Sequence, residues 1–313
     1  MLKLILRRLS LALPLVFVVT AITFVLGALT PGNPAYTILG TTATHAQVAA
    51  MDHQLGFDLP IWTQYWHWLE HALSGNLGTS LTNAQAVGGQ LVARLPVTLS
   101  LVIGATALSA VVGVVLGTLG AVRHGVTGRL IDALATLGFA IPNFWLGLVL
   151  VDLVALDAGW LPATGYVSPG TSLGGWLTSL ILPVMTLATG GVTGIAKQTR
   201  DAMRVELGRD YVDMLRADGI AEWRIIWLHA LRNASIVVVT MIGVFFVGTL
   251  SGAVVVENVF GMPGLGSLAV TAATNHDLPV IQGIAAIFCL IVVVANLAVD
   301  LAYGWLNPKA RLA

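Results

Sequence analysis

Six stretches of this chain are almost wholly apolar and each about 20 residues or longer, the length a helix needs to cross the hydrocarbon core of a bilayer. They run from Leu9 to Leu29, Val97 to Val122, Leu130 to Leu156, Leu177 to Ala196, Ala234 to Val256 and Leu278 to Tyr303. Hydrocarbon offers no water to unpaired backbone groups, so a spanning segment satisfies them internally, as a helix. The predicted fold class is an all-α integral membrane protein with about six transmembrane helices. Composition agrees: 57% of residues are hydrophobic and 10% are charged, against about 25% charged in soluble domains. A formal net charge of zero gives no global basic field for nucleic acid. Cys289 is the single cysteine, which excludes an intrachain disulfide and a cysteine metal site. The first stretch follows Lys3, Arg7 and Arg8 as a signal peptide would, but it outruns an h-region and no small-x-small cleavage site precedes Pro31. It is read as a retained helix.

Lysine and arginine accumulate in cytoplasmic segments near span ends, and their distribution orients the chain. Lys3, Arg7 and Arg8 precede the first stretch, Arg123 and Arg129 separate the second and third, and Lys309 and Arg311 follow the last. Lys197, Arg200, Arg204, Arg209, Arg216, Arg224 and Arg232 lie between the fourth and fifth, on the same side. Only Arg94 falls opposite. Both termini are expected in the cytoplasm, in a multi-pass membrane protein. Segments Pro31 to Pro96, Asp157 to Trp176 and Glu257 to Asp277 then face outward. In the first of these, Ile61, Trp62, Tyr65, Trp66, Trp68 and Leu69 crowd one stretch and predict an amphipathic helix at the membrane surface. Gly113 with Gly117, Gly190 with Gly194, and Gly248 with Gly252 are small-xxx-small pairs that allow close helix approach.

Between the fourth and fifth stretches the chain turns polar: RDAMRVELGRDYVDMLRADGIAEWRIIWLHALR, from Arg200 to Arg232. A short amphipathic helix is predicted from Asp210 to Asp218, with Asp210 as N-cap, Gly219 as stop, and Tyr211, Met214 and Leu215 on one face. Such an apolar face on the cytoplasmic side needs a partner.

This stretch resembles the EAA loop of ABC-importer permeases, in which a glycine follows the second alanine by four residues. Asp213, Met214 and Leu215 stand at the Glu-Ala-Ala positions, followed by Arg216, Ala217, Asp218 and Gly219; Leu231-Arg232 replaces the closing Leu-Pro. Four further segments extend the resemblance over nearly the whole chain: LRRLSLALPLVFVVTAITFVLGALTPGNPA, QYWHWLEHALSGNLGTSL, IPNFWLGLVLV with WLPATGY, and VENVFGMPGLGSL followed by LPVIQG. The chain is identified as resembling the permease subunits of bacterial dipeptide, oligopeptide and nickel ABC importers, in their first-permease branch. The resemblance implies a single permease domain of the type I importer fold, with an outer loop over 31–96 and a coupling loop over 197–233. It implies a pathway shared with a second, homologous permease, most simply a heterodimer, served by two cytoplasmic ATPase subunits and an external substrate-binding protein. The implied cargo is di- or oligopeptides, with nickel or another small solute as the alternative. Tyr211, Asp213, Met214, Leu215, Arg216, Ala217 and Gly219 are the implied contacts to the ATPase subunit. Glu257, Phe260, Pro263 and Gly264 belong to the most specific motif and are candidates for the outer gate or pathway, together with Asp152, an acid in an apolar span.

No enzyme, cofactor or metal role is expected. The nearest phosphate-loop lookalike, GGVTGIAKQT, places Ile195 and Ala196 between Gly194 and Lys197, which breaks the cradle. His67 and His71 share a helix face at i, i+4 but lack a third ligand in the sequence. Asp300, near the inner end of the last span, is read as snorkelling toward water. A secondary carrier would show repeated halves with interrupted helices, and an intramembrane enzyme a catalytic constellation such as HExxH; the sequence shows neither.

Overall fold

A computed structural model describes residues 2–30, 33–40, 42–123, 138 and 141–306. The helices, in chain order, are α1 (Leu2–Leu29), α2 (Pro34–Leu39), α3 (His45–Leu55), α4 (Ile61–Leu73), α5 (Val87–Val122), α6 (Asn143–Leu150), α7 (Leu173–Leu207), α8 (Asp210–Ala217), α9 (Glu222–Val259), α10 (Leu265–Thr274) and α11 (Leu278–Leu306). A π-helical segment, Val151–Asp157, continues α6, and another, Ile225–Ala230, lies inside α9. Among the described residues five helices are long and apolar enough to span a membrane: Ser10–Leu29 within α1, α5, α7, α9 and α11. Residues 130–137, 139 and 140 of the third predicted span lie outside the described residues, as do Arg129, Lys309 and Arg311; its described part is α6 with its π-helical continuation.

Two helices extend well beyond their apolar stretches. α5 starts at Val87, ahead of the predicted Val97, and carries Pro96 inside it. α7 runs on from Ala196 to Leu207, so the polar segment begins as helix and the connection proper starts at Gly208. Backbone hydrogen bonding does not stop where the apolar run stops, and Lys, Arg, Met and Glu are good helix formers.

The chain divides into two compact units. One comprises Thr98–Met262 and the chain from Ala295. Its centre is α7 against α9 and the inner part of α5. Gly191 lies under the Phe245 ring, where an added Cβ would come within 2.2 Å of Cζ. On α5, a Cβ at Gly117 would stand 2.5 Å from the Ala196 carbonyl oxygen, so the Gly113–Gly117 pair does set close approach to α7. Gly190 and Gly248 make no such approach. Several hydroxyls of the Gly- and Thr-rich α7 are satisfied within the helix: Thr186 Oγ1 donates to the Leu182 carbonyl and Thr193 Oγ1 to that of Thr189. Toward the predicted inner side, Ala121, Met203, Ile226, Ala230 and Ala234 form a buried cluster.

The other unit comprises Leu2–Val97 and Pro263–Val294. Val87, Leu91, Leu265, Leu268, Ala272, Val280 and Ile284 make its core. The predicted amphipathic helix is α4. Tyr65 is its buried residue, edge-on to Phe17 and Phe24 of α1. Trp62 and Trp66 remain exposed. The Tyr65 hydroxyl lies 3.0 Å from Thr20 Oγ1, and the Thr20 carbonyl accepts from Gln282 Nε2 at 2.7 Å. α1, α4 and α11 are thus joined by a polar node inside an apolar unit.

Candidate functional site

The cytoplasmic candidate is built on α8. Arg209 is its N-cap, extended and without a side-chain cap bond, and Asp210 is the first helical residue, not the cap that its residue type suggested. Asp210 and Asp213 occupy the first turn and Arg216 the last, each on the favourable end of the helix dipole. The helix ends in a Schellman motif: Ile220 N–H donates to the Leu215 carbonyl at 3.1 Å and Gly219 N–H to that of Arg216 at 3.0 Å. Gly219 sits at φ +75° with nothing within 4 Å of where a Cβ would be, so backbone conformation alone demands glycine there.

The predicted common face of Tyr211, Met214 and Leu215 is divided. Val212 is the anchor, at 0% exposure, with Leu215 half-buried, while Met214 is 69% exposed. Val212, one residue on from Tyr211, takes the buried position where the chain passes from α7 through α8 to α9. Tyr211 marks this junction. Its hydroxyl donates to Glu206 Oε2 of α7 at 3.2 Å and accepts from Asn233 Nδ2 of α9 at 3.1 Å. Burial pushes the phenol above its ordinary range. Arg216 closes the other end, donating to Glu222 Oε1 at 2.8 Å, Glu222 Oε2 at 3.3 Å and Asp213 Oδ1 at 3.2 Å. The bond to Glu222 raises the guanidinium pKa of Arg216, and the same bond lowers that of the Glu222 carboxyl. Asp213 and Ala217 are exposed. α8 is therefore a short helix fixed at both ends, presenting Asp213, Met214 and Ala217 outward.

The second candidate lies where α9 ends. Glu257 is wholly buried and accepts from Thr98 Oγ1 at 2.6 Å. A second Schellman motif follows, with Met262 N–H on the Glu257 carbonyl at 2.8 Å and Gly261 at φ +59°. It turns Phe260 inward, to 1% exposure, against α6, where a Cβ on Gly147 would lie 3.3 Å from the ring. The Phe260 carbonyl accepts from Gly165 N–H at 2.8 Å, tying in the WLPATGY connection. The structure thus brings together Glu257 and Phe260 with the segments that carried the resemblance. Pro263 and Gly264 open the other unit, where Pro263 is exposed and Gly264 is the buried, extended N-cap of α10. Asp152 is exposed in the π-helical segment and is not part of the buried set.

The sequence reading passed over Asp277. Its buried carboxylate accepts from Ser80 Oγ, from Thr82 Oγ1 at 3.0 Å, from Leu81 N–H at 3.2 Å and from Thr82 N–H at 3.4 Å. Two segments noted separately, GNLGTSL and the start of LPVIQG, are one structural feature. The available signal was an acid immediately before an apolar helix. The Thr20–Gln282 pair was also signalled, by lone polar residues within apolar spans. His71 Nδ1–H donates to the His67 carbonyl at 2.7 Å, which engages one nitrogen of the i, i+4 pair within the helix. The phosphate-loop lookalike lies inside α7 and has no loop to cradle an anion.

The family described as binding-protein-dependent transport system inner membrane component matches residues 90–312, and the companion N-terminal family of the same systems matches residues 1–102. The chain is 37% identical to a protein of Brucella abortus named as a peptide transport system permease, over 99% of both chains. It is likewise 37% identical to the glutathione transport system permease protein GsiC of Salmonella typhimurium, again over 99% of both. Among solved structures, a chain from inward-facing conformations of the MetNI methionine ABC transporter shares the fold, with TM-score 0.55 and 17% identity over 69% of this chain and 96% of that one. With its spanning helices, its glycine-stopped helix α8 and these full-length relatives, the chain belongs to the inner-membrane permease components of binding-protein-dependent ABC transport systems.

Proposed function

We propose that this chain forms one half of the translocation pathway of an ATP-driven importer, and that the cargo is di- or oligopeptides. The observation that carries the reading is α8: a helix pinned through Tyr211 and Arg216 to α7 and α9, with an exposed Met214 and polar rim for a partner. A lever of this kind transmits a push to the spans only if it is stiff and held at both ends. The relatives named for peptides and for glutathione, itself a tripeptide, support peptides as cargo over nickel. Binding and hydrolysis of ATP belong to two separate cytoplasmic ATPase subunits, a second homologous permease completes the pathway, and an external binding protein delivers peptide. In this scheme both termini are cytoplasmic. ATP binding closes the ATPase dimer, α8 follows its groove, and the spans shift toward an outward-open state. Glu257 and Phe260, packed under the outer connection at Gly165, form part of the outer closure.

The test is co-purification from the native membrane followed by ATPase assay with binding protein and peptides. Recovery of a second permease and ATPase subunits, with peptide-stimulated hydrolysis, supports the reading; a chain that purifies alone and transports without ATP overturns it. Gly219→Val probes the lever itself. The left-handed backbone costs a side chain about 1–2 kcal/mol, while the open space around it leaves folding and insertion intact. Membrane level near wild type with peptide-stimulated hydrolysis lost is the expected result; unimpaired uptake refutes the role of α8.

A further inference from the structure

One side of α9 is exposed along the length of a membrane span, and its residues are the wrong kind for lipid. Thr240, Val244, Gly248, Ser251, Val255 and Asn258 follow at intervals of three or four residues, the repeat of one helix face, and all six are exposed. At 1.5 Å per residue the row is about 27 Å long, close to the thickness of the hydrocarbon core. Four of the six are polar or glycine. In the same compact unit, α5 shows what a lipid-facing row looks like: Ile103, Ala107, Val111, Val115 and Leu119 are exposed at intervals of four, and every one is apolar.

Polar side chains within spanning segments face the bundle interior or a water-filled cavity, because an unpaired amide or hydroxyl in hydrocarbon costs free energy. Asn258 Nδ2 donates to the Val254 carbonyl at 2.7 Å, which leaves Oδ1 to be satisfied from outside the helix. Gly248 has nothing within 4 Å of where a Cβ would be, so packing inside the chain does not call for glycine there. A second helix adds to the same side. Thr240 Oγ1 pairs with the Tyr303 hydroxyl of α11, and Asn296, two turns from Tyr303 on that helix, is exposed. The row also connects the two candidate sites. Two turns before Thr240, Asn233 donates to the Tyr211 hydroxyl of α8 at 3.1 Å, and at the outer end Asn258 adjoins Glu257.

We infer that this side of α9, with Tyr303 and Asn296 of α11, lines the hydrated pathway and is the surface along which the peptide moves. The inference rests on the peptide-importer reading above and adds to it the residues of this chain that the cargo passes. Asn, Thr, Ser and Tyr side chains both donate and accept, as a peptide backbone does. The row on α9 offers no carboxylate, imidazole or thiolate to hold a nickel ion. An uncharged lining also suits peptides whose side chains differ in charge, since it traps none of them.

The test is thiol accessibility in the complete importer, reconstituted in both orientations in proteoliposomes. Cys289, the single native cysteine, is buried, and Cys289→Ser gives the background. Thr240→Cys, Val244→Cys and Ser251→Cys, with Val111→Cys on α5 as the lipid-facing control, are treated with a charged, membrane-impermeant thiosulfonate, with and without ATP and vanadate. Each α9 variant is expected to react about tenfold or more faster than Val111→Cys in at least one nucleotide state, because a charged reagent is depleted from hydrocarbon. The adduct is expected to block trialanine uptake. Reaction as slow as that of Val111→Cys in both states overturns the inference and leaves lipid on this face. Fast reaction with uptake unimpaired overturns it too, as does ready disulfide formation between Ser251→Cys and a cysteine placed in the second permease, which marks a helix–helix interface. Peptide-stimulated hydrolysis by the native importer with an unreactive α9 rejects this face alone, whereas absence of any peptide response in that assembly rejects the peptide reading beneath it.

Discussion

Replacing Asp277 by alanine removes one side chain and strands four donors. Ser80 Oγ, Thr82 Oγ1 and the backbone N–H groups of Leu81 and Thr82 all converge on its carboxylate, which is 2% exposed. A buried donor left unpaired costs about 1–3 kcal/mol. Ser80 and Thr82 retain their contact to each other at 3.0 Å, and water reaches the exposed Thr82 side, so the low end applies to most of the four. The expected loss for Asp277→Ala is about 3–4 kcal/mol. Asp277→Asn keeps one acceptor oxygen and loses the charge, for about 1–2 kcal/mol. The chain supplies its own reporter, because Cys289 is its single cysteine, is buried, and belongs to the same unit as Asp277. Heating the detergent-purified chain with a thiol-reactive dye reads the opening of that unit. Asp277→Ala should lower the transition by on the order of 10 °C, Asp277→Asn by a third to a half as much, and Asp157→Asn, an exposed acid, not at all. An Asp277→Ala protein that labels at the wild-type temperature refutes the view that this carboxylate holds the segment around Ser80 in place.

Phe260→Ala should cost about 3–5 kcal/mol of thermal stability and, as part of the outer closure, make proteoliposomes leak a small fluorescent dye without ATP; a destabilised but tight protein confines Phe260 to a packing role. Gly117→Ala pushes a methyl against the Ala196 carbonyl oxygen, a backbone atom that cannot rotate away, and should lower stability by about 1–3 kcal/mol, whereas Gly190→Ala, which meets nothing within 4 Å, should be neutral or slightly stabilising in the same melt. Tyr211 has its phenol pKa raised by burial. Its contribution is thus fully present below about pH 10 and lost as pH climbs through the raised value; an alkaline melting series should show this fall in wild type and a flatter one in Tyr211→Phe.

How far the sequence reached can be judged from particular residues. Spans were legible because a bilayer imposes length and apolarity directly on the chain, and α7, α9 and α11 lie over the stretches that those criteria marked. Helix ends were less legible. The continuation of α7 through Lys197, Arg200 and Arg204 depends on hydrogen bonding that ignores polarity, and hydropathy cannot register it. Within the coupling segment, Gly219 was legible because only a left-handed residue makes a Schellman stop, and its φ of +75° is the conformation that argument requires. Val212 was not. Which of two adjacent apolar residues faces the core is decided by how the surrounding chain packs against the helix, and that is a tertiary fact.

The outer region shows the same division more sharply. Motif resemblance singled out Glu257 and Phe260, and the structure buries both. It also made Pro263 and Gly264 equal members of the candidate site, although the helix ends at Val259 with Phe260 as its cap, and the chain passes into another compact unit at Pro263. A motif records which residues occur together in order; it does not record that, past the turn at Gly261, the chain crosses from one compact unit into another. Asp277 illustrates the converse, since no pattern links it to Ser80 across 197 residues. What sequence lacks in such cases is the partner. A carboxylate next to an apolar helix signals that some set of donors must exist, and the fold alone says which donors those are.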